Sequence, residues 1–211
     1  MERVIIFDWD GVVVDSNAFK WKGAWEKTFE EDEEKASLAV EYLGTSEGRA
    51  LHRYELIAKI APQSSQEYQN EIAEKFSNVL KQGVTEISLM PGIKDVLESL
   101  RNEGYRMLVI SATKEEDLKY QADHFNVSEY FTDLFGNPRT KVENFKRIED
   151  SEKYQYVVIG DGGSDYKLAK AINSEFIGID NAWNEWGLDE EMKKYVTSIS
   201  NIPNIVLNLS K

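Results

Sequence analysis

The chain carries 25 Lys plus Arg against 38 Asp plus Glu in 211 residues, a formal charge of −13. No stretch holds the local excess of cations that a nucleic acid backbone demands, and no run approaches the roughly 20 consecutive apolar residues of a membrane span. With no cysteine and only His52 and His124, disulfides, thiolate catalysis and Cys- or His-rich metal sites drop out, so any metal must sit on oxygen. The start Met1-Glu2-Arg3 leads into only a short apolar run, so no signal peptide is expected, and the reading is a soluble cytoplasmic protein without nucleic acid or membrane partners.

In chain order the first element is Val4-Ile5-Ile6-Phe7, which ends at Asp8. Continuous apolarity without polar alternation reads as a strand buried on both faces. Residues from about 17 to 83 then show helical periodicity and no convincing strand. Ala50, Leu51, Tyr54, Ile57 and Ala58 form one stripe after Ser46, and Tyr68, Ile72, Phe76 and Val79 another after Ser65. The acidic run from Glu30 to Glu34 reads as a solvated helix junction. Pro91 is placed to start a helix with Ile93, Val96, Leu97 and Leu100 on one face, and Gly104 to stop it. Met107-Leu108-Val109-Ile110 ends at Ser111, after which Thr113 and Glu116 have capping-box spacing for a helix from about Lys114 towards Phe125. Tyr156-Val157-Val158-Ile159 precedes Gly160-Asp161, and Ser164 or Asp165 can cap a helix containing Leu168, Ala169, Ala171 and Ile172. Phe176-Ile177-Gly178-Ile179 before Asp180 repeats the strand pattern more loosely. Strands alternating with helices predict a doubly wound α/β sheet interrupted by a helical insertion. The expected division is a core of residues 1–15 and 85–211 and a helical domain of residues 16–84.

In an open parallel sheet, ligands bind beyond the carboxyl ends of the strands. Asp8, Ser111 and Asp161 each occupy such an end, so they are expected to meet at one rim. Asp8-Trp9-Asp10-Gly11 by itself carries little, since 38 acids in 211 residues give about seven acid-x-acid pairs by chance. Its place directly after a buried strand is what raises it, because residues two apart in extended backbone address the same side. Gly160-Asp161-Gly162-Gly163-Ser164-Asp165 adds two more carboxylates on a glycine-rich turn. Crowding Asp8, Asp10, Asp161 and Asp165 together is strongly repulsive without a cation, and a hard divalent ion such as Mg²⁺ resolves it. A calcium loop from Asp161 is rejected, because its sixth position is Tyr166 and its twelfth Ile172. Taken singly, Asp165 also reads as a helix cap, Ser111 and Thr113 as turn residues, and Lys141 as a surface lysine.

Together and in this order, these residues resemble the haloacid dehalogenase superfamily. Phe7-Asp8-Trp9-Asp10-Gly11 with the aliphatics to Val14 and then Asp15-Ser16 is similar to its first motif, and Val109-Ile110-Ser111-Ala112-Thr113 to its second. Lys141 fits the third, with Arg139, Lys146 and Arg147 nearby, and Gly160-Asp161 through Asp165 the fourth. The resemblance implies a Rossmann-like core with an inserted all-helical cap domain. It also implies a Mg²⁺-dependent phosphatase acting on a small phosphorylated metabolite. Asp8 would be the nucleophile that forms an aspartyl phosphate, and Asp10 the general acid and base. Ser111 and Lys141 would hold the phosphate. The metal would take Asp8, Asp161, the Asp10 main-chain carbonyl and, directly or through water, Asp165. In this family the cap supplies much of the specificity, and its cations Lys20, Lys22, Arg49, His52 and Arg53 read either as contacts to a second substrate anion or as ordinary surface charge. Two alternatives stay open: a sugar-phosphate mutase of the β-phosphoglucomutase type, suggested by Ser111-Ala112-Thr113-Lys114, and a non-catalytic binding protein on the same fold.

Overall fold

The computed structural model of the chain describes residues 2–49, 51, 53–181 and 196–209. Ala50 of the expected stripe, His52 of the cap cations, and the side chains of Ser46 and Arg49 lie outside what is described. The chain divides into two compact units, Met1–Asp15 with Ser88–Lys211, and Ser16–Ile87.

The first unit is built on β1 (Glu2–Phe7), which leads into a tight turn where the Trp9 carbonyl accepts the N–H groups of Val12, Val13 and Val14. Gly11 sits there at φ 74°, a backbone region that a side chain would strain. A two-residue antiparallel ribbon follows, β2 (Val14–Asp15) with β3 (Ser88–Leu89), and the second unit is inserted between its strands. Beyond it come α6 (Ile93–Asn102), β4 (Arg106–Lys114), α7 (Glu115–His124), β5 (Asp133–Asn137), α8 (Lys141–Phe145), β6 (Tyr154–Gly160), α9 (Gly163–Ala171), β7 (Glu175–Ile179), β8 (Val196–Thr197) and α10 (Ile202–Leu209), the helices α1 to α5 belonging to the insertion. The main sheet is parallel, in the order β5-β4-β1-β6-β7-β8. Successive strands leave β1 first on one side and then on the other, so its carboxyl end lies where the strand order reverses.

Alternation along the strands fills both faces. Ile5 and Phe7 pack with Val109, Ile159, Ile177 and the apolar stripes of α6 and α10, while Val4 and Ile6 pack with Leu108, Ile110, Val158 and Leu168 of α9. Both faces of β1 are therefore buried, which is why its sequence is apolar without interruption. The doubly wound α/β expectation is met.

The second unit has a core of its own. Its helices are α1 (Ala24–Thr28), α2 (Glu33–Leu43), α3 (Ser46–Arg49), α4 (Arg53–Ile60) and α5 (Gln66–Gln82), of which α1, α2, α4 and α5 supply the core around Trp25, which stacks on Phe76 with ring centroids 4.1 Å apart. Ser65 caps α5 as its spacing predicts, accepting the Tyr68 N–H. The acidic run falls at the start of α2, where Asp32 accepts the Lys35 N–H and Glu33 and Glu34 occupy the first turn, favourable for the helix dipole.

Three local expectations are corrected. Tyr54 is 40% exposed, so the inward face of α4 is carried by Leu56, Ile57 and Ile60. Pro91 stands in a turn, and Gly92 at φ 79° opens α6 instead. Thr113 does not cap α7: β4 continues through Lys114, and the helix starts at Glu115.

Candidate active site

The parallel register aligns Phe7 with Val109 on one side and with Ile159 on the other. One to two residues further along each strand stand Asp8, Ser111 and Asp161, which meet at one edge as expected. Asp8 is 8% exposed and its N–H is tied to the Ile159 carbonyl at 2.8 Å. Trp9 turns the other way, fully buried in the core with its indole N–H on Gln121 Oε1 of α7 at 2.6 Å. That anchor holds the backbone between the two aspartates.

Asp8, Asp161 and Asp165 each bring a carboxylate oxygen within 4.8 Å of the others. Lys141 enters this group from α8. Its Nζ lies 2.9 Å from Asp8 Oδ1 and pairs also with Asp165 Oδ1, and only 9% of its side chain is exposed. Burial pulls the Lys141 ammonium down, but the Asp165 and Asp8 carboxylates overturn that and hold it above the usual lysine range. Burial first, and then the Asp8 charge, push Asp165 up. Asp8 Oδ1 is buried and accepts no well-directed hydrogen bond among the described residues, so its contact with Lys141 is an ion pair. With all three carboxylates ionised, one ammonium leaves an excess of two negative charges on hard oxygen donors, which suits a divalent cation.

Asp10 is held separately. Its Oδ2 accepts the Thr113 hydroxyl at 2.6 Å, and the Thr113 N–H is in turn taken by Ser111 Oγ at 3.1 Å. The hydroxyl that capping-box spacing offered to a helix is thus spent on a carboxylate 103 residues away. Among the described residues the Asp10 carboxylate is not one of the three clustered ones. Asp165 does work as a cap, its Oδ2 taking the Gly162 N–H at 3.1 Å, and it does so while its other oxygen holds Lys141. A Cβ on Gly160 would lie 2.2 Å from the Cβ of Asp165, so only glycine lets this carboxylate sit against β6.

These contacts order the four sequence motifs around one cluster, and residues 5–179 match the sequence model of the haloacid dehalogenase-like hydrolases. The chain belongs to the haloacid dehalogenase-like hydrolase family. It is 30% identical to the phosphoglycolate phosphatase of Aquifex aeolicus (strain VF5) over 217 aligned positions, 98% of this chain and 92% of that protein. The crystal structure of a predicted phosphatase from Clostridium acetobutylicum superposes with a TM-score of 0.77 at 19% identity, covering 99% of each chain. A haloacid dehalogenase-like hydrolase of Streptococcus pneumoniae gives 0.72 at 19% identity over 100% of this chain and 99% of that one. These two likenesses are of fold, and the family assignment rests on the sequence matches. As a member of this family the chain is a hydrolase of the phosphatase kind, and the resemblance carried by its motifs holds.

Several residues of this hydrolase that support the cluster were not singled out from sequence. The five-residue α8 is too short to stand alone. Thr140 and Glu143 close a capping box at its start, and the fully buried Asn144 donates to the carbonyls of Gly136 at 3.0 Å and Arg139 at 3.3 Å. Arg147 joins Asn144 Oδ1 at 3.0 Å to Glu115 at 2.6 Å, linking the Lys141 loop to the start of α7. The Arg147 guanidinium, ahead of the opposing effect of burial, lowers Glu115 to about 2 from 4.5.

Because this pKa is depressed on folding, the stability it contributes is present above about 4.5 and lost as pH falls towards about 2. Glu115→Gln is expected to cost about 1–2 kcal/mol in urea unfolding at about pH 7, and clearly less at about pH 3.5. An equal cost at both pH values would show that the ion pair is not its source.

Arg53, one of the cap cations, is used inside the second unit. Its guanidinium donates to the Ala73 carbonyl at 3.2 Å and to Ser77 Oγ at 2.6 Å and lies 4.8 Å from the Phe76 ring centroid, which fastens α4 to α5. Among the described residues, no helix is long and apolar enough to cross a membrane.

Proposed function

We propose that this hydrolase is a Mg²⁺-dependent phosphatase of a small phosphorylated metabolite, working through an aspartyl phosphate on Asp8. The observation that carries this reading is the buried Asp8–Lys141–Asp165 ion-pair chain at the strand ends, with Asp10 held apart by Thr113. Asp8 attacks phosphorus with a carboxylate oxygen, the ester P–O bond breaks, and Asp10 gives its proton to the leaving oxygen. Asp10 then takes a proton from the water that attacks the Asp8–phosphate bond and returns phosphate and free carboxylate. Lys141 offsets the charge on Asp8 and, with Ser111, holds phosphoryl oxygens. Asp8 and Asp161 would hold Mg²⁺ by their carboxylates, with Asp165 beside them and the Asp10 carbonyl as a further ligand. When bound, the ion neutralises charge on the phosphoryl group.

On this reading, residues 1–15 and 85–211 form the catalytic core, residues 16–84 the cap that selects the substrate, and the cysteine-free chain works in a reducing cytoplasm. The Aquifex relative makes phosphoglycolate the first substrate to assay. A panel of phosphate monoesters should show inorganic phosphate released from phosphoglycolate or a similar small ester, abolished by chelator and restored by Mg²⁺. Release without a bisphosphate activator excludes the mutase. Failure to hydrolyse any ester with Mg²⁺ present would favour the non-catalytic binding protein.

A further inference from the structure

The β6 and β7 ends are joined by a residue to which the mechanism above gives no part. Asn181 follows β7 and lies two residues beyond the stretch that matches the family. Its Nδ2 donates to Asp161 Oδ2 at 2.7 Å and to the Gly11 carbonyl at 3.2 Å. The backbone beside it is held by the Asp180 N–H on the Thr197 carbonyl at 2.9 Å. The direction of the amide is decided by its surroundings. Turned over, it would set its own oxygen against a carboxylate and a carbonyl, neither of which can donate.

We propose that Asn181 is a positioning residue for the metal site, which holds the Asp161 carboxylate in register with the Asp8–Asp10 turn. The proposal rests on the reading of Asp161 as a metal ligand. Asp161 stands at a turn after a strand and has two side-chain torsions to set, and the charge-assisted hydrogen bond from Asn181 to one oxygen restricts its rotamer. One of its oxygens lies within 4.8 Å of oxygens of Asp8 and Asp165, so a fixed rotamer keeps the donor set convergent against three-way repulsion. The second N–H of the same amide grips Gly11, whose φ of 74° closes the turn that carries Asp8 and Asp10. One neutral side chain thus spaces two groups of anions. An aspartate in its place would add a fourth negative charge and remove both donors.

The test is direct binding of Mn²⁺ to the substrate-free protein, followed by the loss of the free-ion electron paramagnetic resonance signal. It is paired with the Mg²⁺ dependence of turnover and with melting by circular dichroism. Asn181→Ala and the near-isosteric Asn181→Leu are compared with the wild type, so that one folded variant suffices. Both are expected to weaken Mn²⁺ roughly tenfold or more and to raise the half-saturating Mg²⁺ concentration by a similar factor. The kcat at saturating Mg²⁺ should stay within about threefold, since no reacting group is removed. Wild-type protein that binds Mn²⁺, with variants that bind it within about twofold as well, would overturn the proposal and leave the metal site standing. So would a lower melting temperature and a lower kcat with unchanged metal affinity, the mark of a purely structural tie. Wild-type protein that binds no Mn²⁺ and ignores Mg²⁺ would overturn the metal site, and the proposal with it.

Discussion

Asp8→Asn is expected to reduce phosphate release by at least about 10⁴-fold while leaving the fold intact. The amide keeps the volume of the carboxylate, and its carbonyl dipole can still face the Lys141 ammonium, so the 2.9 Å contact survives in weaker form. The nucleophile is lost, because an amide oxygen has neither the charge nor the leaving behaviour that an acyl phosphate cycle needs. Substituting a neutral group also relieves the crowding that pushes Asp165 up, so no large loss of stability should accompany the loss of rate. Circular dichroism and melting check the second half, and a phosphate-release assay at saturating substrate and Mg²⁺ the first. Activity within tenfold of wild type would sink Asp8 as nucleophile.

That such a residue could be picked from a chain with 38 acids depended on its context. Strands buried on both faces write themselves as unbroken apolar runs, and the end of such a run in a parallel sheet is where ligands bind. Asp8, Ser111 and Asp161 were legible for this reason, and Asp165 through its glycine-rich turn. Lys141 became visible only through the family's motif order. Nothing periodic marks it, because α8 is five residues long and its place is set by Asn144, Arg147 and Glu115 through side-chain contacts. Strand β5 was missed because it is an edge strand with Leu134 and Phe135 as its only adjacent apolar pair. A Cβ on its Gly136 would lie 2.4 Å from the Thr113 carbonyl, so the glycine serves a close approach to β4. Thr113 was misread because local spacing cannot report a partner as distant in sequence as Asp10. Asn181 was within reach, since the strand-end rule that singled out Asp8 also applies to the run ending at Ile179.

Lys141→Met is the second substitution with a large expected effect, and it separates what the lysine does for the fold from what it does for the reaction. Its ammonium is the buried counter-charge to Asp8 and Asp165, and methionine of similar length leaves both carboxylates without it. Breaking a buried ion pair from one side costs about 3–5 kcal/mol, because the partner stays buried and charged. For a chain of this size that is a fall in melting temperature of about 6–20 °C in metal-free buffer. Turnover should drop by about 10²–10³-fold even where the variant is folded, since a preorganised cation facing the phosphoryl oxygens is lost. Pairing the change with Asp165→Asn distinguishes the two contributions. If Lys141→Met destabilises by orphaning carboxylates, Asp165→Asn should cost much less stability in the variant than in the wild type, with a coupling of about 1–3 kcal/mol between the sites. The same double variant should recover no activity, because removing an anion does not replace the missing cation. Additive stabilities would mean that Lys141 contributes by packing alone, and near-normal turnover in the single variant would remove it from the phosphate site.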